Sequence, residues 1–178
     1  MLDFYRRLEK WRKERGLDRT QGFEFNVNTQ VSFFTEEITE FLRAKDEHEK
    51  IDALCDITIF AINGINLIDN DYSFIYPKKY NRWYDGASIG DIISQLELMF
   101  FSNNECKIRM SIIINKALLM IEYMGYDYKK CMDETLKEIE SRTGEINPNT
   151  GKWEKYKTDE AKAKWYKANY SRCKKGSK

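Results

Sequence analysis

Proline is nearly missing from this chain. Two prolines, Pro77 and Pro148, and nine glycines are spread over 178 residues. Helix breakers this sparse leave long stretches free to run as uninterrupted helix, and they exclude a fold of many short strands and tight turns. Histidine occurs once, at His48, within a charged turn. The four cysteines at 55, 106, 131 and 173 show no paired CxxC spacing, which excludes a zinc-ligand set and argues against an exported disulfide scaffold. Cys55 and Cys131 fall in apolar helical patterns and read as packing residues. Neither charge is in excess: 30 Lys and Arg against 29 Asp and Glu leave a net charge of +1. No overall field therefore attracts nucleic acid or an anionic membrane. The longest uncharged run, residues 57–68, covers 12 residues, too short to span a bilayer. Charges at Asp3, Arg6 and Arg7 precede any apolar run, unlike an export signal. A cytoplasmic protein that engages neither membrane nor nucleic acid is expected.

What remains is ample for a core. Hydrophobic residues make up 42% of the chain and aromatics 14%, and the length suits one domain over residues 1–178. The stretch on which the rest is organised is Gln30 to Asn66, QVSFFTEEITEFLRAKDEHEKIDALCDITIFAINGIN. Two amphipathic segments flank a short charged turn, Ala44 to Lys50. The first carries Glu36, Glu37 and Glu40, and the second Asp52 and Asp56. Residues three or four apart share a helix face, so Glu37 pairs with Glu40 and Asp52 with Asp56. Folding back about the midpoint of residues 46 and 47 sets Glu37 level with Asp56 and Glu40 nearly level with Asp52. Four carboxylates so crowded repel unless cations lie between them. Hard oxygen ligands without Cys or His suit Mg2+, or Mn2+, rather than zinc.

Acidic residues on a helix are more often a solvated face. Here the pattern argues for burial. The apolar stripe of the first helix runs through Val27, Val31, Phe34, Ile38, Phe41 and Leu42, and Glu37 lies at its border, about 60° from Phe34. Asp56 shares a face with Ile59, Asn63 and Asn66. Carboxylates at the edge of buried surface need a partner, and the nearby cations Arg43, Lys45 and Lys50 cluster at the turn.

Elsewhere, Phe4, Leu8 and Trp11 mark a first helix over Leu2–Arg15, with a basic face read as solvated and Gly16 as its C-cap. Asn28 or Thr29 is expected to cap the acidic helix, and the second acidic helix to cover His48–Ile68. Residues 69–90 read as a loop or insertion whose aromatics and Lys78, Lys79 and Arg82 form either a lid or a packed surface loop. Helices follow over Ile89–Phe101, Glu105–Gly125 and Asp127–Arg142, and a last one carries Trp165, Tyr166 and Tyr170. Residues 143–178 form a basic tail. Phe33 offers a ring for base stacking, though stacking tolerates any base. Asn63 offers an amide for a sugar or base edge, a backbone bond or water.

The run TQVSFFTEEITEFLRA, then DALCDITIFAI, resembles the EExxE and downstream acidic motifs of the all-α NTP pyrophosphatases, the MazG-like superfamily that includes dimeric dUTPases, dCTP pyrophosphatases and phosphoribosyl-ATP pyrophosphohydrolases. Glu36, Glu37 and Glu40 match EExxE. The second motif, ExxD, departs: Asp56 matches its Asp, but Ala53 stands three residues before it, leaving Asp52 as fourth ligand. A register shifted to Glu49 and Asp52 also fits ExxD. The GY…E…SRTG…GKW arrangement is similar to tails of phage-type relatives, and implies that Arg142 and Lys152 bind a triphosphate.

The resemblance implies an all-α, MazG-like helical bundle whose four-helix core is completed by dimerisation, in a homodimer or higher homo-oligomer. It implies hydrolysis of a nucleoside triphosphate to monophosphate and pyrophosphate. Glu37, Glu40, Asp52 and Asp56 would be the metal ligands, and Glu36, with Glu37, would orient or deprotonate the attacking water. Two alternatives stand beside it: a non-catalytic helical module that binds nucleotides or a partner protein, and a pyrophosphohydrolase of a phosphoribosyl nucleotide.

Overall fold

The computed structural model describes residues 2–18, 22, 24–69, 87–148 and 153–176. Their order is α1 (Leu2–Glu14), α2 (Val27–Arg43), α3 (Glu47–Ile68), α4 (Ile89–Glu97) with a 3-10 turn Leu98–Phe100, α5 (Asn103–Tyr123) and α6 (Tyr128–Ser141). A short hairpin follows, β1 (Gly144–Ile146) and β2 (Trp153–Lys155), then α7 (Asp159–Ala163) and a terminal 3-10 turn, Tyr170–Cys173. The described residues are thus mostly helical, with one antiparallel two-stranded ribbon pairing Gly144 with Lys155 and Ile146 with Trp153. Most of the expected loop at 69–90 lies outside the described residues.

Capping fixes where the helices start. The Asn26 side chain accepts from the Thr29 backbone N–H at 3.0 Å, so α2 is capped two residues earlier than the sequence suggested, and Asn28 and Thr29 lie inside it. Asp46 caps α3 by accepting from the Glu49 N–H, while Glu49 Oε2 accepts from the Lys45 N–H. These bonds satisfy donors that a helix start leaves open, and they confine the α2–α3 connection to residues 44–46. At the end of α1, Gly16 has φ of 68°, the left-handed conformation expected of a C-cap glycine.

The central element is α3. It packs against α1, α2, α5 and α6, and Ile51, Leu54, Cys55, Ile57, Ala61, Ile62 and Ile65 on it are buried. By length and composition alone it could cross a membrane, but 72% of its apolar window is buried within the protein. Near its end, a Cβ at Gly64 would collide with Met110 Sδ of α5, so glycine permits that close approach.

Several details depart from the sequence pattern. Leu42, expected in the apolar stripe of α2, is 63% exposed, because the helix ends at Arg43 before another element covers that edge. The basic face of α1 is largely engaged within the protein. Arg7 pairs with Asp133 and Glu140 of α6, both at 2.7 Å, Arg12 is buried and donates to the Leu17 carbonyl, and Arg15 lies over Trp11. The last helix stops at Ala163, leaving Trp165 and Tyr166 beyond it and Tyr170 in a 3-10 turn.

Candidate functional site

The register of the α2–α3 hairpin decides what meets across it. Phe33 and Phe60 stack with ring centroids 4.6 Å apart and planes 17° from parallel. That pair is level under the fold-back geometry, and the same geometry sets Gln30 opposite Asn63, Glu37 opposite Asp56, and Glu40 beside Asp52. Three oxygens on these side chains are buried without a hydrogen-bond partner: Gln30 Oε1, Glu37 Oε2 and Asn63 Oδ1. Buried polar atoms are nearly always paired. Such acceptors have the chemistry to receive donors or cations.

Glu37 is the most perturbed of the carboxyls. Only 8% of the residue is exposed, and burial, reinforced by repulsion from Asp56, Glu40, Asp52 and Glu36 in that order, pushes its pKa up to about 8. Asp56 is pushed up to about 7, first by burial and then by Asp52, with Glu138 and Glu40 adding and Arg142 opposing. Asp52 is also raised by burial of its carboxyl, although the residue as a whole is exposed; a hydrogen bond from Tyr170 and the charge of Arg142 pull the other way. The four residues chosen from the sequence as metal ligands thus share one electrostatic neighbourhood. Burial is the largest cause of all three raised values, and carboxylate repulsion adds to it.

The third wall comes from α6 and the terminal segment. Arg142, the C-cap of α6, donates to Glu138 Oε1 at 2.5 Å, and both face Asp52 and Asp56 closely enough to move them. Tyr170 donates to Asp52 Oδ1 at 2.6 Å. No protein-family model matches this chain, and no curated protein or solved structure matches it.

Glu36 is exposed and is the weakest of the four named influences on Glu37, so it stands at the rim rather than in the seam. Phe33 is half-buried, with one ring face against Phe60. Lys152 lies outside the described residues. Glu49 and Asp52 share a shallow cavity of about 360 Å3 with Thr39, Glu40, Arg43 and Ala44. Glu49 accepts from the Lys45 backbone N–H, whereas Asp56 lies close enough to Asp52 and Glu40 to be raised by them. Among the described residues, no three His, Cys, Asp or Glu side chains are drawn together as closely as a bound ion would draw them.

Gln30, Glu138 and Tyr170 are the site residues that sequence reasoning missed. Gln30 lies two turns before Glu37 on the same face, a signal available from helical spacing. Glu138 sits four residues before Arg142, the spacing of a helical ion pair. For Tyr170, 118 residues from Asp52, no local signal exists.

Proposed function

We propose that this protein is a divalent-cation-dependent nucleoside triphosphate pyrophosphohydrolase of the MazG-like kind, releasing monophosphate and pyrophosphate. The observation that carries the proposal is Glu37, buried, with one oxygen unpartnered and with Asp56, Glu40 and Asp52 raising its proton affinity. A carboxyl in that position is either held protonated or paired with a cation, and an all-oxygen donor set suits Mg2+ or Mn2+. Glu37, Glu40, Asp52 and Asp56 would hold it. When bound, such an ion activates water and neutralises phosphate oxygens.

The chain's own residues supply the rest. Arg142 would hold the phosphate tail beside the acidic group, trading its bond to Glu138 for a phosphate oxygen. Gln30 and Asn63 would accept hydrogen bonds from the nucleoside farther along the seam, beside Phe33. Glu36 at the rim would orient water entering from solvent. The half-exposed and exposed apolar side chains of α4 and its 3-10 turn, Ile89, Ile93, Leu96 and Phe100, fall on one helical face and would be covered by a second copy of the chain.

The test is incubation of the full chain with a panel of canonical and modified nucleoside triphosphates and Mg2+, followed by detection of pyrophosphate. Turnover should fall at least 100-fold in Glu40→Gln and in Asp56→Asn, with melting temperatures maintained. A well-folded protein that turns over none of the panel would sink the hydrolase and leave the second reading, a nucleotide-binding module.

A further inference from the structure

The terminal segment is anchored to the body of the protein along its whole course. Tyr166 Oη and the Asn169 N–H both donate to Glu134 Oε2, at 2.5 and 2.9 Å, and the Ala168 N–H donates to Glu138 Oε2 at 2.9 Å. The Asp127 N–H donates to the Cys173 carbonyl, and the Lys175 N–H to the Gly125 carbonyl, both at 2.8 Å. Lys174 pairs with Glu47 at the start of α3. So fixed a backbone can hold a side chain in one place against neighbouring helices.

The side chain it holds is Tyr170, 6% exposed, whose hydroxyl lies between two groups. One is Asp52 Oδ1 at 2.6 Å, the other Thr135 Oγ1 of α6 at 2.9 Å. A carboxylate only accepts, and a phenol carries one proton, so the phenol donates to Asp52; the one Thr135 proton has two acceptors in reach, the phenol oxygen and the Cys131 carbonyl at 3.0 Å. The phenol thus bridges the terminal turn to α3, with Thr135 of α6 against its oxygen. It occupies one oxygen of Asp52 and leaves the other for the acidic group. Asp52 is exposed as a residue, so the phenol's bond fixes a carboxyl that would otherwise be free to rotate toward solvent.

We infer that Tyr170 is a positioning residue for Asp52: the terminal strap, through the Thr135–Tyr170–Asp52 chain, orients this carboxylate for binding a divalent cation. The inference rests on the metal-dependent reading above. Groups that orient a ligand characteristically change metal affinity by about 10- to 100-fold when removed. Tyr170→Phe keeps the ring and its packing and removes only the donor.

The experiment is calorimetric titration of Mn2+ into the full chain, without nucleotide, for wild type, Tyr170→Phe, Asp52→Asn, their double variant, and Asp56→Asn as the control for the site itself. The expected result is Mn2+ binding at least tenfold weaker in Tyr170→Phe. Little further loss should appear when the change is added to Asp52→Asn, since the phenol acts through the carboxylate. Unchanged affinity in Tyr170→Phe would overturn the inference, as would full additivity in the double variant, while wild-type binding and its loss in Asp56→Asn would leave the metal site standing. Absence of Mn2+ binding in the wild type would remove the metal site and the inference with it. Should Tyr170→Phe fail to fold, Thr135→Val, similar in shape and lacking the hydroxyl against the phenol oxygen, carries the same comparison with a smaller expected loss.

Discussion

Replacing Glu37 by Gln should stabilise the metal-free protein at alkaline pH, an unusual outcome for a change in a buried residue. Glu37 is lifted from an ordinary 4.5 to about 8, chiefly by burial and then by Asp56. At about 1.4 kcal/mol per pH unit, that difference corresponds to roughly 4–5 kcal/mol. The sign follows from the direction. In the unfolded chain the carboxyl ionises near 4.5, while in the folded protein it keeps its proton until about 8. Stability tied to this group is therefore complete below the lower value and lost as pH rises through the upper one. Between pH 6 and pH 9 the wild type should lose roughly 2–3 kcal/mol from this group alone. For a chain of this size, that is about 5–10 °C in melting temperature.

The assay is urea unfolding followed by tryptophan fluorescence at pH 6 and pH 9, in EDTA, for wild type and Glu37→Gln. Titrating groups remote from Glu37 contribute to both proteins alike and cancel in the difference of slopes. The wild type should show the steeper fall. Excess Mg2+ at pH 9 should restore it, by about 2.7 kcal/mol at 100 times the dissociation constant, and leave the variant unmoved. Equal slopes for the two proteins would refute the reasoning, because they would show that folding does not force Glu37 to keep its proton.

Arg142→Ala should raise the KM for a triphosphate about tenfold or more, and Arg142→Lys should recover part of it; an unchanged KM would remove Arg142 from the phosphate site. Arg7→Ala, which breaks the α1–α6 pairing with Asp133 and Glu140, should cost about 1.5–3 kcal/mol in urea unfolding and leave pyrophosphate release untouched. Gly64→Ala drives a methyl into Met110 of α5 and should cost about 1–3 kcal/mol; a neutral result would mean that Met110 swings aside freely.

The acidic hairpin was legible because both of its determinants are local. Helical spacing set the faces of Glu37, Glu40, Asp52 and Asp56, and the brevity of the turn at Ala44–Asp46 set the register that the Phe33–Phe60 stack displays. The helix boundaries were legible to within a few residues for the same reason. Leu42 was misplaced because periodicity tells which residues share a face but not where a neighbouring helix stops covering it. The tail was least legible. Tyr166 and Tyr170 read as members of one last helix, yet each carries a hydroxyl satisfied by a distant carboxylate, Glu134 and Asp52. Those bonds dictate the course of the chain after Ala163, and nothing within a few residues of either tyrosine announces them.

The carboxylates of this protein fall into two populations, and the contrast argues that the seam between α2 and α3 is functional rather than merely crowded. Glu134 and Asp133 are also pushed up by burial, yet both end below their usual range, because Tyr166, Asn169 and Lys137 serve Glu134, and Lys137 and Arg7 serve Asp133. Glu47, at the start of α3, is drawn down by Lys174 and Tyr126. The chain thus supplies donors to acidic side chains that hold helices together. Glu37, Asp56 and Asp52 all end above their usual range; among the described residues Asp52 accepts from Tyr170, and the cation acting on Asp52 and Asp56 is Arg142, already bound to Glu138. With 30 basic residues in the sequence, a second lysine or arginine at this seam would have offset the repulsion by ordinary pairing. Under the cation-dependent reading proposed above, the charge these carboxyls lack would come from outside the chain.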